Sequence, residues 1–150
     1  MKKAILSLFV ICLVSCNSNE KIINGELFFK LINAFPSDGS AGKSIEAYLK
    51  EIENSDEPED KKIYMFFSKL KAHDLLFSPS FKLKTNEGVK VIYTTKEVYD
   101  KLEKYSLNDL NRKKKKVIID LKIVELDSAI YFSKEILNIK EVDGYSPWTK

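Results

Sequence analysis

Residues 81–93 read FKLKTNEGVKVIY. Phe81 and Leu83 alternate with Lys82 and Lys84, the period-two pattern of a strand with one buried face. Asn86-Glu87-Gly88 reads as a hairpin turn, and Val89, Val91 and Tyr93 continue on the return strand. Immediately afterwards Thr94 and Glu97 stand three apart, the spacing of a capping box, so a helix is expected to begin there. Val98, Leu102 and Tyr105 form its apolar stripe. Further on, VIIDLKIVELD at 117–127 sets Val117, Ile119, Leu121 and Ile123 on one face of a long strand. Asp127-Ser128 is a tight-turn candidate, and a second strand is expected over 130–142.

Working back from residue 81, the chain adds helices and one more strand. Ile63, Phe66, Phe67, Leu70 and Leu75 mark the core face of a helix expected from about residue 58 to 77. Asp56 is its candidate cap, Pro58 fits its first turn, and Ser78-Pro79 its end. Before it, Ile45, Tyr48, Leu49 and Ile52 recur at i, i+3, i+4 and i+7, an amphipathic helix. Leu27, Phe29 and Leu31 alternate in GELFFKLINAF (25–35), which predicts a first strand. The expected order is β-α-α-β-β-α-β-β: one α+β domain over 24–143, with a mainly antiparallel sheet. From Phe81 onward, the succession hairpin, helix, hairpin resembles an OB-type arrangement in element order.

The amino terminus reads MKKAILSLFVICLVSC. Lys2 and Lys3 precede a short apolar run, too short for an ordinary spanning helix, in the pattern of a secretory signal. Leu13-Val14-Ser15-Cys16 resembles the lipobox of bacterial lipoproteins. The resemblance implies removal of residues 1–15 and a diacylglyceryl group on the Cys16 thiol, with residues 16–23 as lipidated end and tether. Two or three acyl chains would hold such a protein stably on a membrane, since each buried methylene contributes about 0.8 kcal/mol. The chain also resembles small lipoproteins of Bacteroidota, which implies a place in the cell envelope, periplasmic or surface-facing, and no particular activity.

Cleavage would take Lys2 and Lys3 away and lower the formal charge from +3 to +1. A nearly neutral domain argues against nucleic acid as a partner. Cys12 would leave with the signal and Cys16 would carry lipid. No disulfide, thiolate metal site or cysteine nucleophile is then expected, and no cofactor or metal.

The motifs that could carry chemistry are weak. PSDGSAGKS (36–44) ends like a phosphate-binding loop, but Ser37 stands where the first glycine is needed. Val117-Ile118-Ile119-Asp120 resembles a strand ending in a magnesium-binding aspartate only as any apolar strand does. His73 is the sole histidine and lies near an apolar helix face. Asp56, Glu57, Glu59 and Asp60 lack the spacing of a calcium loop. Glu125, Asp127 and Glu135 offer carboxylates to a small hydrolase. The tyrosines sit at helix and strand spacing, as core or core rim, and Trp148 reads as a tail anchor in residues 144–150. Arg112, Lys113, Lys114, Lys115 and Lys116 form the strongest charge run, a candidate site for anionic headgroups. With no coherent catalytic set, the expectation is a non-catalytic module binding another envelope protein, with a glycan or lipid headgroup as the alternative ligand.

Overall fold

A computed structural model describes residues 20–31 and 40–145. Five strands, β1 (Glu20–Leu31), β2 (Ser80–Thr85), β3 (Gly88–Thr94), β4 (Lys115–Asp127) and β5 (Ile130–Asp143), close into a barrel in the order β1-β2-β3-β5-β4. All neighbours are antiparallel except β3 and β5, which run parallel through Ile92–Tyr131, Tyr93–Phe132 and Thr94–Ser133. Helices α1 (Ser40–Ile52) and α2 (Pro58–Ala72) lie between β1 and β2, and α3 (Lys96–Glu103) and α4 (Leu107–Arg112) between β3 and β4. The α+β reading therefore holds. The OB-type resemblance extends beyond the second half, because β1 completes the barrel by pairing with β4 through its first half and β2 through its second.

The barrel interior is filled by one apolar cluster. Leu27, Phe81, Leu83, Ile92, Val117, Ile119, Leu121 and Ile123 point inward from the strands, and Leu102 of α3, Tyr105 of the α3–α4 link and Leu110 of α4 join them. These helices follow the carboxyl end of β3 and precede the amino end of β4, so they plug that end of the barrel. Burying a side chain of this size is worth about 1.5–3 kcal/mol. Outside the barrel, Leu70, Leu75 and Ile130 pack with Phe67, Leu76, Tyr93, Leu126 and Phe132. Ile45, Leu49 and Ile52 of α1 pack on Ile63, Tyr64 and Phe67.

Several boundaries differ from the sequence reading, each for a local reason. β1 begins at Glu20, so residues 20–23 belong to the sheet and not to the tether. Ile22 and Ile23 pair with Lys122 and Leu121, and the Glu20 carboxylate meets the Lys122 ammonium at 2.6 Å. The first helix starts at Ser40, which places Gly42-Lys43-Ser44 inside α1 rather than at a loop's end; residues 36–39 lie outside the described residues. α2 stops at Ala72, before Ser78-Pro79. Asp74 adopts φ 56°, and the Asp74 and Leu75 amides donate to the Lys71 and Leu70 carbonyls, a Schellman ending sealed by the Leu70–Leu75 contact.

Asp56 does not cap α2. Glu57 occupies the cap position without a side-chain bond, while Asp56 pairs with Lys61. The α3 cap is Thr95, not Thr94: the Val98 amide donates to Thr95 Oγ1. Thr94 is buried at the β3–β5 seam, where its hydroxyl donates to the Ser133 carbonyl at 2.7 Å. The added helix α4 is capped by Ser106 and anchored by buried Leu110; six residues were too few to present a period.

Candidate functional site

The two-residue turn Asn86-Glu87 pairs Thr85 with Gly88 and thereby fixes the β2–β3 register. Phe81 falls opposite Ile92, and Leu83 opposite Lys90. Residues directly opposite in an antiparallel pair share a face, so Ile92 and Lys90 point into the barrel. Val89, Val91 and Tyr93, which continue the alternation on the return strand, lie on the other face of β3. Lys90 is thus the last inward residue of β3 at the end away from α3. Its side chain is only 12% exposed.

The same logic brings Lys21 to this end. On β1 the inward set is Leu27, Gly25, Ile23 and Lys21, the last paired with Ile123. On β4 the inward row ends in Glu125, which faces Tyr131 of β5. The open end is therefore ringed by two ammonium groups, two carboxylates and a phenol ring. Lys90 meets Glu87 at 2.9 Å, and Lys21 meets Glu125 at 3.1 Å. The two ammonium groups lie 4.8 Å (Lys90) and 5.4 Å (Lys21) from the Tyr131 ring centre, within the reach of a cation–π attraction.

The charges reinforce one another. The Lys90 hydrogen bond and, more weakly, Lys21 hold the Glu87 carboxyl below its ordinary range. Glu87 in turn raises the Lys90 ammonium above its ordinary value, against the effect of burial. Both groups stay charged across the physiological range. Beside them opens a cleft of about 430 Å³, lined by Ile22, Ile23, Asn24, Thr85, Asn86, Glu87 and Lys90. That volume falls within the range of small-molecule sites. Thr85 shapes its rim, donating to the Gly88 carbonyl and accepting from the Glu87 amide. The ring supplies fixed donors and acceptors side by side, beside the exposed Ile22 side chain.

The residues singled out from sequence are scattered. Cys16 and Trp148 lie outside the described residues. The basic run 112–116 spans the end of α4, a turn and the start of β4. Arg112 pairs with Asp109, Lys115 with Asp143 at 2.6 Å, and Lys116 with Glu26 at 3.4 Å. Lys114, at φ 53°, lies over Tyr145, and Lys113 is exposed. Three of the run's five charges are thus paired, two of them with strand residues. Asp120 sits on the outer face of β4, bound by Asn24 at 2.6 Å and Asn138 at 2.9 Å, which lower its carboxyl below the ordinary range. Glu125 belongs to the open end, Asp127 pairs with Lys69 in the β4–β5 turn, and Glu135 lies beside Lys122 and Lys134. His73 terminates α2. Among the described residues, no group of three or more His, Cys, Asp or Glu could hold a metal ion, and no helix is long and apolar enough to cross a membrane.

No protein-family model matches the chain, and neither the curated proteins nor the solved structures searched contain a match.

Lys90 and Lys21 were the residues that sequence reading missed. Lys90 was hidden by the alternation of Val89, Val91 and Tyr93, which assigns the valines inward. Counting register outward from the two-residue turn would have found it.

Proposed function

We propose that this chain is a lipid-anchored, non-catalytic binding module of the cell envelope, tethered through Cys16, that engages its ligand at the open end of the barrel. The observation that carries the reading is the cleft lined by Lys90, Glu87 and Asn86, with the Lys21–Glu125 pair beside it, at the barrel end opposite α3 and α4. OB-type barrels as a class serve as scaffolds for oligomeric ligands. Of the carboxylates that could have served hydrolysis, Glu125 and Asp127 are each engaged by a lysine. The anchor and the cleft are also close in the chain. Four residue steps separate Cys16 from Glu20, and each spans at most about 3.6 Å, so lipidation would hold the open end near the bilayer surface.

Two measurements test this. Radiolabelled palmitate is expected in the wild type and absent in Cys16→Ser; equal labelling of both would remove the anchor. A photo-crosslinking amino acid at Asn86, on the cleft rim, is expected to form an adduct with an envelope component in intact cells, and one at Lys101 on α3 is not. Absence of any adduct from position 86 would remove the open end as the binding site.

A second reading, contact with another envelope protein, is favoured by a separate observation. Met65 and Phe66 are exposed on α2, at 60% and 44%, and exposed apolar side chains of this size on one helix mark contact surfaces. Pull-down of the tagged full-length chain from solubilised envelopes should recover a partner that the Met65→Asp, Phe66→Asp double variant loses. Equal recovery by both would set this reading aside.

A further inference from the structure

Resting on the open-end reading, we infer that the cleft between β1 and the β2–β3 turn takes a neutral saccharide, recognised through the Lys90–Glu87 pair and Asn86, with the Lys21–Glu125 pair beside it. The argument begins from charge balance. Two ammonium groups and two carboxylates surround the opening, and each ammonium already has its counter-ion within 3.1 Å. An anionic ligand drawn by Lys90 would meet Glu87, and one drawn by Lys21 would meet Glu125. A cationic ligand would meet the lysines. A purely apolar ligand would strip water from four charged groups without replacing their hydrogen bonds, which is costly.

A sugar hydroxyl avoids all three penalties. It accepts from an ammonium and donates to a carboxylate at once, so a salt-bridged Lys–Glu pair is its complement. Neighbouring hydroxyls on a pyranose ring can use neighbouring donors and acceptors in the same way. The Asn86 side chain on the rim adds an amide with both functions. Ile22 is 69% exposed at the edge of the cleft, and Ile23 lines it. Ile22 offers an aliphatic surface to the C–H face of the ring, while Ile23, the next residue on the strand, turns inward against the barrel core. Tyr131 has a different part: with both ammonium groups over its ring, it positions the lysines rather than stacking on the ligand. The donors are therefore held in place before binding, which lowers the entropic cost of ordering them.

The same chemistry is presented by a free oligosaccharide and by the headgroup of a glycolipid. Saturation-transfer difference NMR separates these and tests the class, using the full-length lipidated chain in phosphatidylcholine vesicles. The probes are maltotriose and N,N′-diacetylchitobiose as neutral saccharides, and digalacturonate and glycerol 3-phosphate as anions. Saturation transfer to at least one neutral saccharide and to neither anion is expected. Hydrogen bonds to charged groups are worth about 1.5–3 kcal/mol, so binding should weaken about tenfold or more in Lys90→Met. Glu87→Gln, at an exposed turn position, should weaken it as well without disturbing the barrel.

Adding a diglucosyl diacylglycerol to the vesicles should abolish the signal if the natural source is lipid-linked and leave it unchanged if it is free; both outcomes sustain the saccharide. Transfer to the anions alone, lost in Lys90→Met, would overturn the saccharide and keep the open end as the site. Transfer that both variants leave unchanged, or none to any probe, would overturn the proposal. An Asn86 adduct in the latter case would still keep the open end.

Discussion

Gly25→Val should destabilise the fold by about 3 kcal/mol and lower the thermal midpoint by roughly 10 °C. Gly25 lies inward on β1, opposite Ile119, at the place where β1 passes from β4 to β2. The next residue, Glu26, is already paired with both Ile118 and Lys84. A Cβ added at Gly25 would stand 2.6 Å from Leu83 Cγ and 2.8 Å from the Lys84 carbonyl oxygen. The first contact could ease only by turning a fully buried Leu83. The second is backbone, and relief there means separating β1 from β2. Even Gly25→Ala carries this clash, and valine adds two methyl groups to it. Differential scanning calorimetry and urea unfolding measure the effect directly. A valine variant within about 0.5 kcal/mol of wild type, the range of an ordinary surface substitution, would show that the strands do not approach so closely.

Phe81→Ala should cost about 3–5 kcal/mol, the range for removing a buried aromatic ring. Phe81 is 0% exposed and faces Ile92 across the β2–β3 pair. The walls of the resulting cavity belong to a closed sheet, and such walls collapse less readily than the side of a helix bundle. Urea unfolding should show a lower midpoint with an unchanged slope. A loss under about 1 kcal/mol would mean that the barrel core is loosely packed around this position. The difference between the two variants is informative: valine at 25 overfills the barrel, alanine at 81 empties it, and both act on the same cluster of side chains.

How much of this was legible in the sequence follows from what each residue has to satisfy. Val117, Ile119, Leu121 and Ile123 declared their strand face because one side is dry and the other wet. Val98 and Leu102 did the same for α3. The second hairpin and the helix before it were readable for that reason, and with them the OB-type order. The closure was not readable, because the β3–β5 pairing depends on residues distant in sequence and leaves no local pattern. Nor was β1's true start: Glu20 and Lys21 look like tether, yet each has a charged partner on β4. Thr94 and Thr95 are adjacent and chemically alike, and only the tertiary structure assigns one to the seam and the other to the helix. The charged ring at the open end was the least visible part. Lys21, Lys90, Glu87 and Glu125 belong to three different segments, and their meeting is a property of register.

The β3–β5 seam has a consequence for the protein's lifetime in solution. Three residue pairs hold it, against eleven along β4–β5. The partners Thr94 and Ser133 are 39 positions apart, so the seam must offset the entropy of closing a long loop with the fewest residue pairs of any joint in the barrel. Opening it would turn a continuous cylinder into a flat ribbon with two unpaired margins, the geometry on which chains stack into aggregates. Amide protons that bridge the β3–β5 seam should therefore exchange with solvent ahead of those in the β4–β5 pair, and their exchange rate marks how often the molecule stands one step from self-association.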